Sequence, residues 1–376
     1  MKRLLLKNFT ERYRHGKRTL VAALSVLLTI VAQTGCGQTD VSALLERQSS
    51  EAGTHTPVSK ESFYFDTVCQ ITVYDMDGAD ELDETSWEAA AQGVITEAFS
   101  LCREYEQILS KTKEGSDVWN INHAEGKPVL CDARTIELIR KGVYYGDLSQ
   151  GAFDITIGRA EDLWDFHGES PSVPEAGELA EAVSHVDYTG IQTDEEAGTV
   201  QLADPEAEID LGGIAKGYIA DAVSERLEQE QVTAAIISLG GNIVCVGEKA
   251  ADTPFCIGIE TPYSDRTQIV GSAQVADGTV VTSGVYERFF TVGDKEYHHI
   301  LDPQTGYPVE TDVLGVTLEG ALGTSGDCDA LSTICLALGS ESGAELVEKL
   351  EGYEAVFVLR DGSVVSTSGA SFTPSQ

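Results

Sequence analysis

Asp210, a glycine pair and a lysine lie within seven residues of one another, where the sequence changes to a helical pattern. Gly212 and Gly213 have no Cβ, so a ligand can approach the backbone closely there. The helix expected from about Ile214 directs unpaired N–H groups and its positive dipole end to the same place, which suits a phosphate. Lys216 adds a positive charge, and Asp210 can accept hydrogen bonds from a sugar or a base edge. The alternative is an ordinary helix start, with Asp210 as its cap and Lys216 solvated.

A second carboxylate and a hydroxyl stand at helical spacing nearer the C-terminal end of the chain. Residues 326–339 read as a helix, which places Asp329 and Thr333 at i and i+4 on one face of its first turn. Such oxygen donors suit Mg²⁺, which usually keeps waters and a substrate phosphate in its remaining positions. The alternative is that both residues are structural, as we expect for Asp327, a candidate helix cap.

The segment 151–158 follows a predicted helix and combines small residues with one aromatic ring and one carboxylate. Ala152, Phe153 and Asp154 could therefore edge a flat ring or a ribityl chain. Taken by itself, the segment is better explained by Phe153 as part of the core and Asp154 as the cap of the next helix.

Two adjacent histidines, His298 and His299, precede a turn that contains proline and glycine. They could be zinc ligands, but no third ligand stands at a matching spacing. We interpret one of them as a proton carrier and the other as a hydrogen-bonded strand residue.

The hydrophobic pattern predicts both helices and strands around these candidates. Apolar residues at helical spacing predict helices over residues 86–109, 132–149, 177–183, 214–231, 326–339 and 342–351. Alternating or β-branched runs predict strands over residues 62–74, 234–246 (two strands, interrupted at Gly240-Gly-Asn242), 255–260, 268–275, 279–283 and 313–318, and a closing hairpin through Asp361-Gly362. Residues 110–122 read as a polar loop.

The first 36 residues are typical of an exported lipoprotein. Seven basic residues precede an apolar run over residues 19–32, which is short for a transmembrane helix. The run ends in Gln33-Thr-Gly-Cys36, which resembles a signal whose cysteine is acylated and becomes the first residue of the mature chain. We expect a signal peptide over 1–36, a flexible tether over 37–60 and one domain over 61–372, held by lipid on Cys36 at the extracytoplasmic face of the cell membrane. An uncleaved signal anchor would give the same compartment.

The chain is strongly acidic, with a formal net charge of −37, and beyond residue 36 it has 18 basic and 61 acidic residues. Such a polyanion repels phosphate backbones, which excludes nucleic acid as a partner. Any phosphate ligand therefore needs a locally cationic or metal-bearing pocket. The eight cysteines lack paired metal-binding spacings and mostly lie in apolar runs, so we expect buried free thiols rather than a disulfide framework.

Eight motifs, in this order, resemble the ApbE family of FAD:protein FMN transferases, over about residues 62–370. The motifs are Phe65-Asp-Thr67 with Thr72-Val-Tyr-Asp75, Leu109-Ser110, Gly151-Ala-Phe-Asp154, Asp210-Leu-Gly-Gly-Ile-Ala-Lys-Gly217, Ser238-Leu-Gly-Gly-Asn242, Ser283-Gly-Val-Tyr-Glu-Arg288, His299-Ile-Leu-Asp-Pro-Gln-Thr-Gly306 and Asp329-Ala-Leu-Ser-Thr333. Each motif alone is weak, but eight in sequence are specific.

The resemblance implies a fold, a set of contacts and a metal site. The fold implied is α+β, with antiparallel sheets flanked by helices, as in ApbE-like proteins related to the T-fold. Asp329 and Thr333 would hold Mg²⁺ together with the main-chain oxygen of Gly213, a position where members often carry alanine. The positions that match flavin- or adenine-contacting residues are Phe65, Ala152, Phe153, Asp154, Asp210, Lys216 and Ile300, whereas Thr112 stands where many members have an aromatic residue.

The activity implied is phosphoryl transfer, in which a threonine hydroxyl of a partner protein attacks the FMN-side phosphorus of FAD and AMP departs. The partner would be a flavin-acceptor protein such as a redox or electron-transport subunit. His299 is our candidate for accepting the hydroxyl proton, with Asp154 or a metal-bound water as rivals. The metal would neutralise charge on the pyrophosphate.

Two other functions remain open at this point. A Mg²⁺-dependent FAD pyrophosphatase would use the same site with water as the acceptor. A non-catalytic flavin-binding lipoprotein would keep Asp329 and Thr333 as structural residues. The metal site that the resemblance implies requires the fold to join two helix starts that lie about 115 residues apart in the sequence.

Overall fold

The chain combines sixteen strands with eight α-helices in this computed structural model, counted over the residues that it describes, 55–166, 171–250, 252–264 and 268–375. The strands are β1 Val58–Tyr64, β2 Thr67–Met76, β3 Val129–Leu130, β4 Ile191–Asp194, β5 Thr199–Leu202, β6 Val232–Leu239, β7 Asn242–Val246, β8 Phe255–Glu260, β9 Ile269–Val275, β10 Gly278–Gly284, β11 Phe289–Val292, β12 Lys295–His298, β13 Val313–Ala321, β14 Glu354–Leu359, β15 Val364–Ser366 and β16 Thr373–Pro374. The α-helices are α1 Glu84–Leu109, α2 Asp117–Asn122, α3 Ala133–Leu148, α4 Gly158–Asp162, α5 Ala176–Val183, α6 Ala215–Gln229, α7 Ser325–Leu338 and α8 Ser340–Val347.

Eight of the strands form one antiparallel sheet, in the order β1-β2-β6-β7-β10-β13-β14-β15. Helices α1, α6 and α7 pack on one face of this sheet. A three-stranded sheet, β16-β9-β8, packs on the opposite face through an apolar cluster. The expected α+β fold with antiparallel sheets flanked by helices is confirmed.

The central strand β6 shows why the large sheet is covered on both faces. Ala235, Ile237 and Leu239 belong to the cluster under the helices, whereas Ala234 and Ile236 belong to the cluster under the three-stranded sheet. Successive side chains of a strand point to opposite faces, so an unbroken apolar run suits a strand that is buried on both sides.

The sequence predicts one strand over residues 62–74, but these residues belong to a hairpin of β1 and β2. Phe65 and Asp66 form its two-residue turn, with φ angles of 53° and 56°. Tight hairpin turns of this kind favour glycine or asparagine, so neither residue indicated a turn in the sequence. The first strand begins at Val58, inside the expected tether, because Val58 pairs with Val73 across the hairpin.

Other differences are local. Helix α2 lies within the segment read as a polar loop, and its start is capped by Ser116, whose hydroxyl accepts from the N–H of Trp119. The seven cysteines in the described part of the chain are all free, and six of them are buried, as expected. The predicted signal peptide, Cys36 and residues 37–54 of the tether lie outside the described residues. Within the described ranges, no helix combines the length and the apolar content that a membrane span needs.

Helices α6 and α7 approach each other closely at Gly217. A Cβ on this residue would lie 2.1 Å from the main-chain oxygen of Ser325 and 2.8 Å from Cβ of Asp329. A side chain at position 217 would therefore push the two helix starts apart, and glycine is required by the packing rather than by a backbone angle.

We expect Gly217→Ala to lower the free energy of unfolding by about 3 kcal/mol, because overpacking a tight contact must displace the backbone. Gly93→Ala is the matched control, since Gly93 lies within α1 and a Cβ there would meet nothing within 4 Å. Alanine at position 93 should raise stability by up to about 1 kcal/mol through helix propensity. Urea denaturation measures both changes, and equal stabilisation by the two substitutions would contradict the close contact.

Candidate active site

A cleft of about 1330 Å³ opens beside the starts of α6 and α7. Its walls come from the β1–β2 turn, the β6–β7 turn, the β10–β11 connection and the segment after α3, as well as from the two helices. The residues that were predicted to contact FAD, to hold the metal or to accept the proton all line this cleft: Phe65, Ala152, Phe153, Asp154, Asp210, Gly213, Lys216, His299, Ile300, Asp329 and Thr333. The fold therefore brings all of the predicted site residues into one concave surface.

The two segments expected to share a metal meet at this cleft. Asp329 is 2% exposed, and its Oδ2 accepts a hydrogen bond of 2.9 Å from the N–H of Gly217. Oδ1 of Asp329 lies 3.7 Å from Nζ of Lys216. On the other side, a Cβ placed on Gly213 would lie 3.7 Å from Oγ1 of Thr333. The segment around Gly213 and the first turns of α7 are thus direct neighbours.

The donors at this place are a carboxylate, a hydroxyl and a main-chain carbonyl. No group of three or more histidine, cysteine, aspartate or glutamate side chains that could hold a metal occurs in the part of the chain that the structure describes. A site with few protein donors, all of them oxygen, fits Mg²⁺, which keeps waters or phosphate oxygens in its other positions. Zinc, which was considered for the two histidines, is bound mainly by nitrogen and sulfur ligands and does not suit these oxygen donors.

Gly213 also contacts the segment after α3. A Cβ at this position would lie 2.9 Å from Cε2 of Phe153, so the absence of a side chain leaves room for the ring. Phe153 is 6% exposed, yet it lines the cleft. The ring is therefore both part of the core and part of the cleft wall.

Lys216 is held at the cleft by its own helix start. Its Nζ donates to the main-chain oxygen of Gly212 over 3.0 Å, in addition to the longer contact with Asp329. The ammonium is therefore placed between the two halves of the candidate metal site. Lys216 is therefore not simply a solvated side chain at an ordinary helix start.

Sequence reasoning missed a cluster around Asp210. Nζ of Lys111 lies 3.0 Å from Oδ2 of Asp210, 3.3 Å from Glu161 and 2.7 Å from Asp162. Oδ1 of Asp210 accepts from the N–H of Gly212 over 2.6 Å, so the carboxylate also caps this turn. Lys111 directly follows the Leu109-Ser110 motif, but nothing in the sequence pairs it with carboxylates that are far away along the chain.

The charges of this cluster shift one another's proton affinities. Burial opposes ionisation of Asp210, but the ammonium of Lys111 and hydrogen bonds outweigh it and hold the pKa of this carboxyl below its ordinary value. Burial and the nearby charge of Asp210 raise the pKa of Glu161. Burial lowers the pKa of Lys111, but the three carboxylates outweigh it and raise that pKa above its usual range. The cluster therefore keeps Asp210 ionised at the cleft wall.

Asp154 uses both carboxylate oxygens to order the backbone. Its Oδ1 accepts from N–H and Oγ1 of Thr156 over 2.8 and 2.6 Å, and its Oδ2 accepts from the N–H of Tyr188 over 3.1 Å. Burial raises the pKa of Asp154 in spite of these hydrogen bonds. Asp154 is 8% exposed, and both of its carboxylate oxygens already accept hydrogen bonds. It is therefore better placed to shape the cleft than to accept a proton.

The two histidines differ in environment. His298, the last residue of β12, is 3% exposed, and its Nδ1 has no hydrogen-bond partner among the described residues. His299 lines the cleft, and its Nδ1 lies 3.3 Å from the main-chain oxygen of Arg288. Burial, followed by the charge of Arg288, lowers the pKa of His299 to about 3. His299 is therefore neutral at physiological pH, and a proton on Nδ1 would leave Nε2 as the acceptor.

We expect Lys111→Met to lower the free energy of unfolding by about 3 kcal/mol at neutral pH, because it leaves three carboxylates without their cation. Without the ammonium, the pKa of Asp210 rises above its unfolded value and the already raised pKa of Glu161 rises further, so the folded state binds more protons and loses stability as pH rises. The deficit relative to wild type should therefore widen between about pH 5 and about pH 8.

Lys127→Met is the control for this experiment, since Lys127 pairs with Glu125 on the surface and both side chains are exposed. Its loss should change stability by less than about 1 kcal/mol. Urea denaturation at several pH values gives the comparison. Equal and pH-independent effects of the two substitutions would show that Lys111 does not hold the cluster together.

Comparisons with known proteins identify the family of this chain. The ApbE family model matches residues 65–357. The FAD:protein FMN transferase of Klebsiella pneumoniae (strain 342) is 35% identical over 280 residues, which cover 74% of this chain and 85% of that protein. The enzyme of the same name from Treponema pallidum (strain Nichols) is 32% identical over 327 residues, which cover 83% of this chain and 87% of that protein.

Solved structures give the same result for the fold. The crystal structure of the ApbE protein from Thermotoga maritima superposes with a TM-score of 0.74 at 29% identity, and covers 83% of this chain and 97% of its own. The apo form of the flavinyl transferase ApbE from Pseudomonas stutzeri superposes with a TM-score of 0.70 at 26% identity, over 83% and 95% of the two chains. By family match, by identity to these relatives and by fold, this chain belongs to the ApbE family.

Proposed function

We propose that this protein transfers FMN from FAD to a threonine hydroxyl of a partner protein and releases AMP. The observation that carries the proposal is the meeting of Gly213, Lys216, Asp329 and Thr333 on one wall of a cleft of about 1330 Å³. A cleft of this size can enclose most of a dinucleotide, since ligand pockets are commonly about 300–1000 Å³. The names of the curated relatives support the same reaction.

In the proposed reaction, the threonine oxygen forms a bond to the FMN-side phosphorus of FAD. The bond from that phosphorus to the bridging oxygen breaks, and AMP leaves with the electron pair. The hydroxyl proton goes to Nε2 of His299, which is neutral and lines the cleft. The negative pyrophosphate of bound FAD would favour the imidazolium and so strengthen this weak base. The engaged oxygens of Asp154 make it the weaker candidate for this step.

Asp329, Thr333 and the main-chain oxygen of Gly213 would hold Mg²⁺, which when bound neutralises charge that develops on the pyrophosphate. Lys216 adds a fixed positive charge beside this site. Arg288 lies close enough to His299 to lower its pKa, so it too brings positive charge to the cleft wall. These cations matter because the chain as a whole carries a net charge of −37 and would otherwise repel an anionic substrate.

We assign the contacts to the rings of FAD to residues on the cleft walls. Phe65, at the β1–β2 turn, and the segment from Ala152 to Asp154 would edge the flavin or its ribityl chain. Asp210, kept ionised by Lys111, would accept hydrogen bonds from a sugar hydroxyl or an adenine amino group. Ile300 is 9% exposed and would supply an apolar contact.

Our proposal for the cellular location rests on the N-terminal sequence. We propose that Cys36 carries lipid and that the domain works at the extracytoplasmic face of the cell membrane, where it would meet a redox subunit as its acceptor. The basic residues, the apolar run over 19–32 and the cysteine at position 36 support this proposal. Mass spectrometry of a tryptic N-terminal peptide from membranes would test it, and an unmodified Cys36 would contradict it.

Incubation with FAD, Mg²⁺ and a purified acceptor protein that contains a target threonine tests the reaction. We expect the acceptor to gain the mass of FMN and AMP to appear in equal amount. Free FMN without a modified acceptor would indicate a pyrophosphatase instead, and the absence of any product would indicate a flavin-binding protein.

Two variants refine this experiment. Asp329→Ala should abolish transfer at Mg²⁺ concentrations that saturate the wild type, because the candidate metal site loses its carboxylate. His299→Gln should slow transfer by about 10²–10⁴-fold, as is typical for loss of a general base, while FAD binding persists. Unchanged transfer by His299→Gln would assign the proton to another group.

A further inference from the structure

Two carboxylates hold the starts of α6 and α7 together in a reciprocal way. Asp329 of α7 accepts from the N–H of Gly217 in the first turn of α6, over 2.9 Å. Asp221 of α6 accepts from the N–H groups of Ser325 and Gly326 in the first turn of α7, over 2.8 Å each. Each helix therefore caps the other.

Neither helix has a side-chain cap of its own. The N-cap residues are Ile214 for α6 and Thr324 for α7, and neither makes a side-chain hydrogen bond to its helix start. The first N–H groups of a helix have no partner within the helix, and a buried unpaired N–H is costly. The crossed hydrogen bonds supply partners for both starts, so sliding or tilting one helix against the other would break them.

This geometry fixes the candidate cation site, because its donors belong to different segments. Gly213 directly precedes α6, whereas Asp329 and Thr333 lie on α7. Mg²⁺ requires near-ideal octahedral geometry with short oxygen distances, so a small shift between the helices would spoil the donor set. Asp221 is not among the residues that line the cleft. Its carboxylate accepts from the backbone of Ser325 and Gly326, so it fixes the start of the helix that carries two of the predicted donors.

We infer that Asp221 is a positioning residue for the cation site, acting through the start of α7 to hold Asp329 and Thr333 opposite the main-chain oxygen of Gly213. This inference rests on the proposed function, because it presumes that the site binds Mg²⁺. It assigns a role to a residue outside the cleft whose loss would weaken the metal rather than the flavin contacts.

The test is Asp221→Asn, an isosteric change that removes the negative charge and one of the two acceptor oxygens of this carboxylate. Mg²⁺ is titrated by calorimetry into the full chain in the presence of saturating FAD and without acceptor. We expect Mg²⁺ to bind about 10–100-fold more weakly than to wild type, as is typical when a group behind a metal ligand is lost. In transfer assays, the Mg²⁺ concentration for half-maximal rate should rise by the same factor, while kcat at saturating Mg²⁺ changes less.

Two controls separate positioning from loss of stability and from loss of charge. Asp312→Asn removes a carboxylate that accepts from the N–H of Ser340 at the start of α8, outside the cleft lining, so it tests helix capping alone. Asp327→Asn removes a negative charge from the first turn of α7 itself, where Asp327 pairs with Lys141 over 2.7 Å without bridging to α6. Both variants should bind Mg²⁺ within about 3-fold of wild type, even if their thermal stability falls.

The outcomes distinguish this inference from the proposed function. If wild type binds Mg²⁺ and Asp221→Asn binds it equally well, or if Asp327→Asn weakens binding as much, Asp221 has no positioning role and the proposed reaction still stands. If wild type binds no Mg²⁺, both the cation site and the role of Asp221 are overturned. Should Asp221→Asn fail to fold, Asp221→Glu keeps the charge but displaces the start of α7, and wild-type affinity in that variant would also overturn the inference.

Discussion

The close approach of α6 and α7 is the contact on which the rest of the site depends. Gly217 has no side chain, so the main chain of Ser325 can lie directly against α6. At this distance each helix start finds its hydrogen-bond acceptors on the other helix rather than in its own sequence. Both helices pack on the same face of the central sheet, which buries the contact and excludes the water that would otherwise satisfy these groups. The segments that contain Gly213 and Asp329 consequently meet at one wall of the cleft.

Electrostatics imposes a second constraint on this protein. Acidic residues outnumber basic ones by 62 to 25, so an anionic substrate is repelled until it reaches a region of opposite sign. The cleft provides such a region through Lys216 beside Asp329 and through Arg288 near His299. Lys111 serves differently, because three carboxylates surround it and its charge keeps Asp210 ionised. A buried cation can thus support recognition without contacting the phosphate itself.

Two local features place aromatic rings on the cleft walls. Phe65 and Asp66 adopt positive φ in a tight turn, a conformation that non-glycine residues adopt at a cost of about 1 kcal/mol or more. Phe153 lies against Gly213 at a distance that leaves no room for a Cβ. Both features place an aromatic ring at the cleft surface. Two aromatic rings on the walls suit a flat ligand, and at the β1–β2 turn this placement requires a strained backbone.

The sequence alone determined the long elements and the residue types of the site. Helix α1 was predictable because its apolar residues recur at helical spacing, and β6 because a short unbroken apolar run is typical of a strand that is buried on both faces. The residues around Gly213 and Asp329 were recognisable because their types suit phosphate and a hard cation. The β1–β2 turn was missed, since Phe65 and Asp66 adopt their φ angles only under the constraint of the surrounding sheet.

Only the tertiary structure decided which residues act together. The partners of Lys111 and Asp221 lie up to about 105 residues away in the sequence, and no local pattern encodes such pairs. The roles of Asp154 and of the two histidines likewise depended on burial and hydrogen bonds contributed by other segments. Local sequence sets backbone preference and side-chain chemistry, whereas proximity between distant carboxylates, cations and helix starts arises from packing on the common sheet.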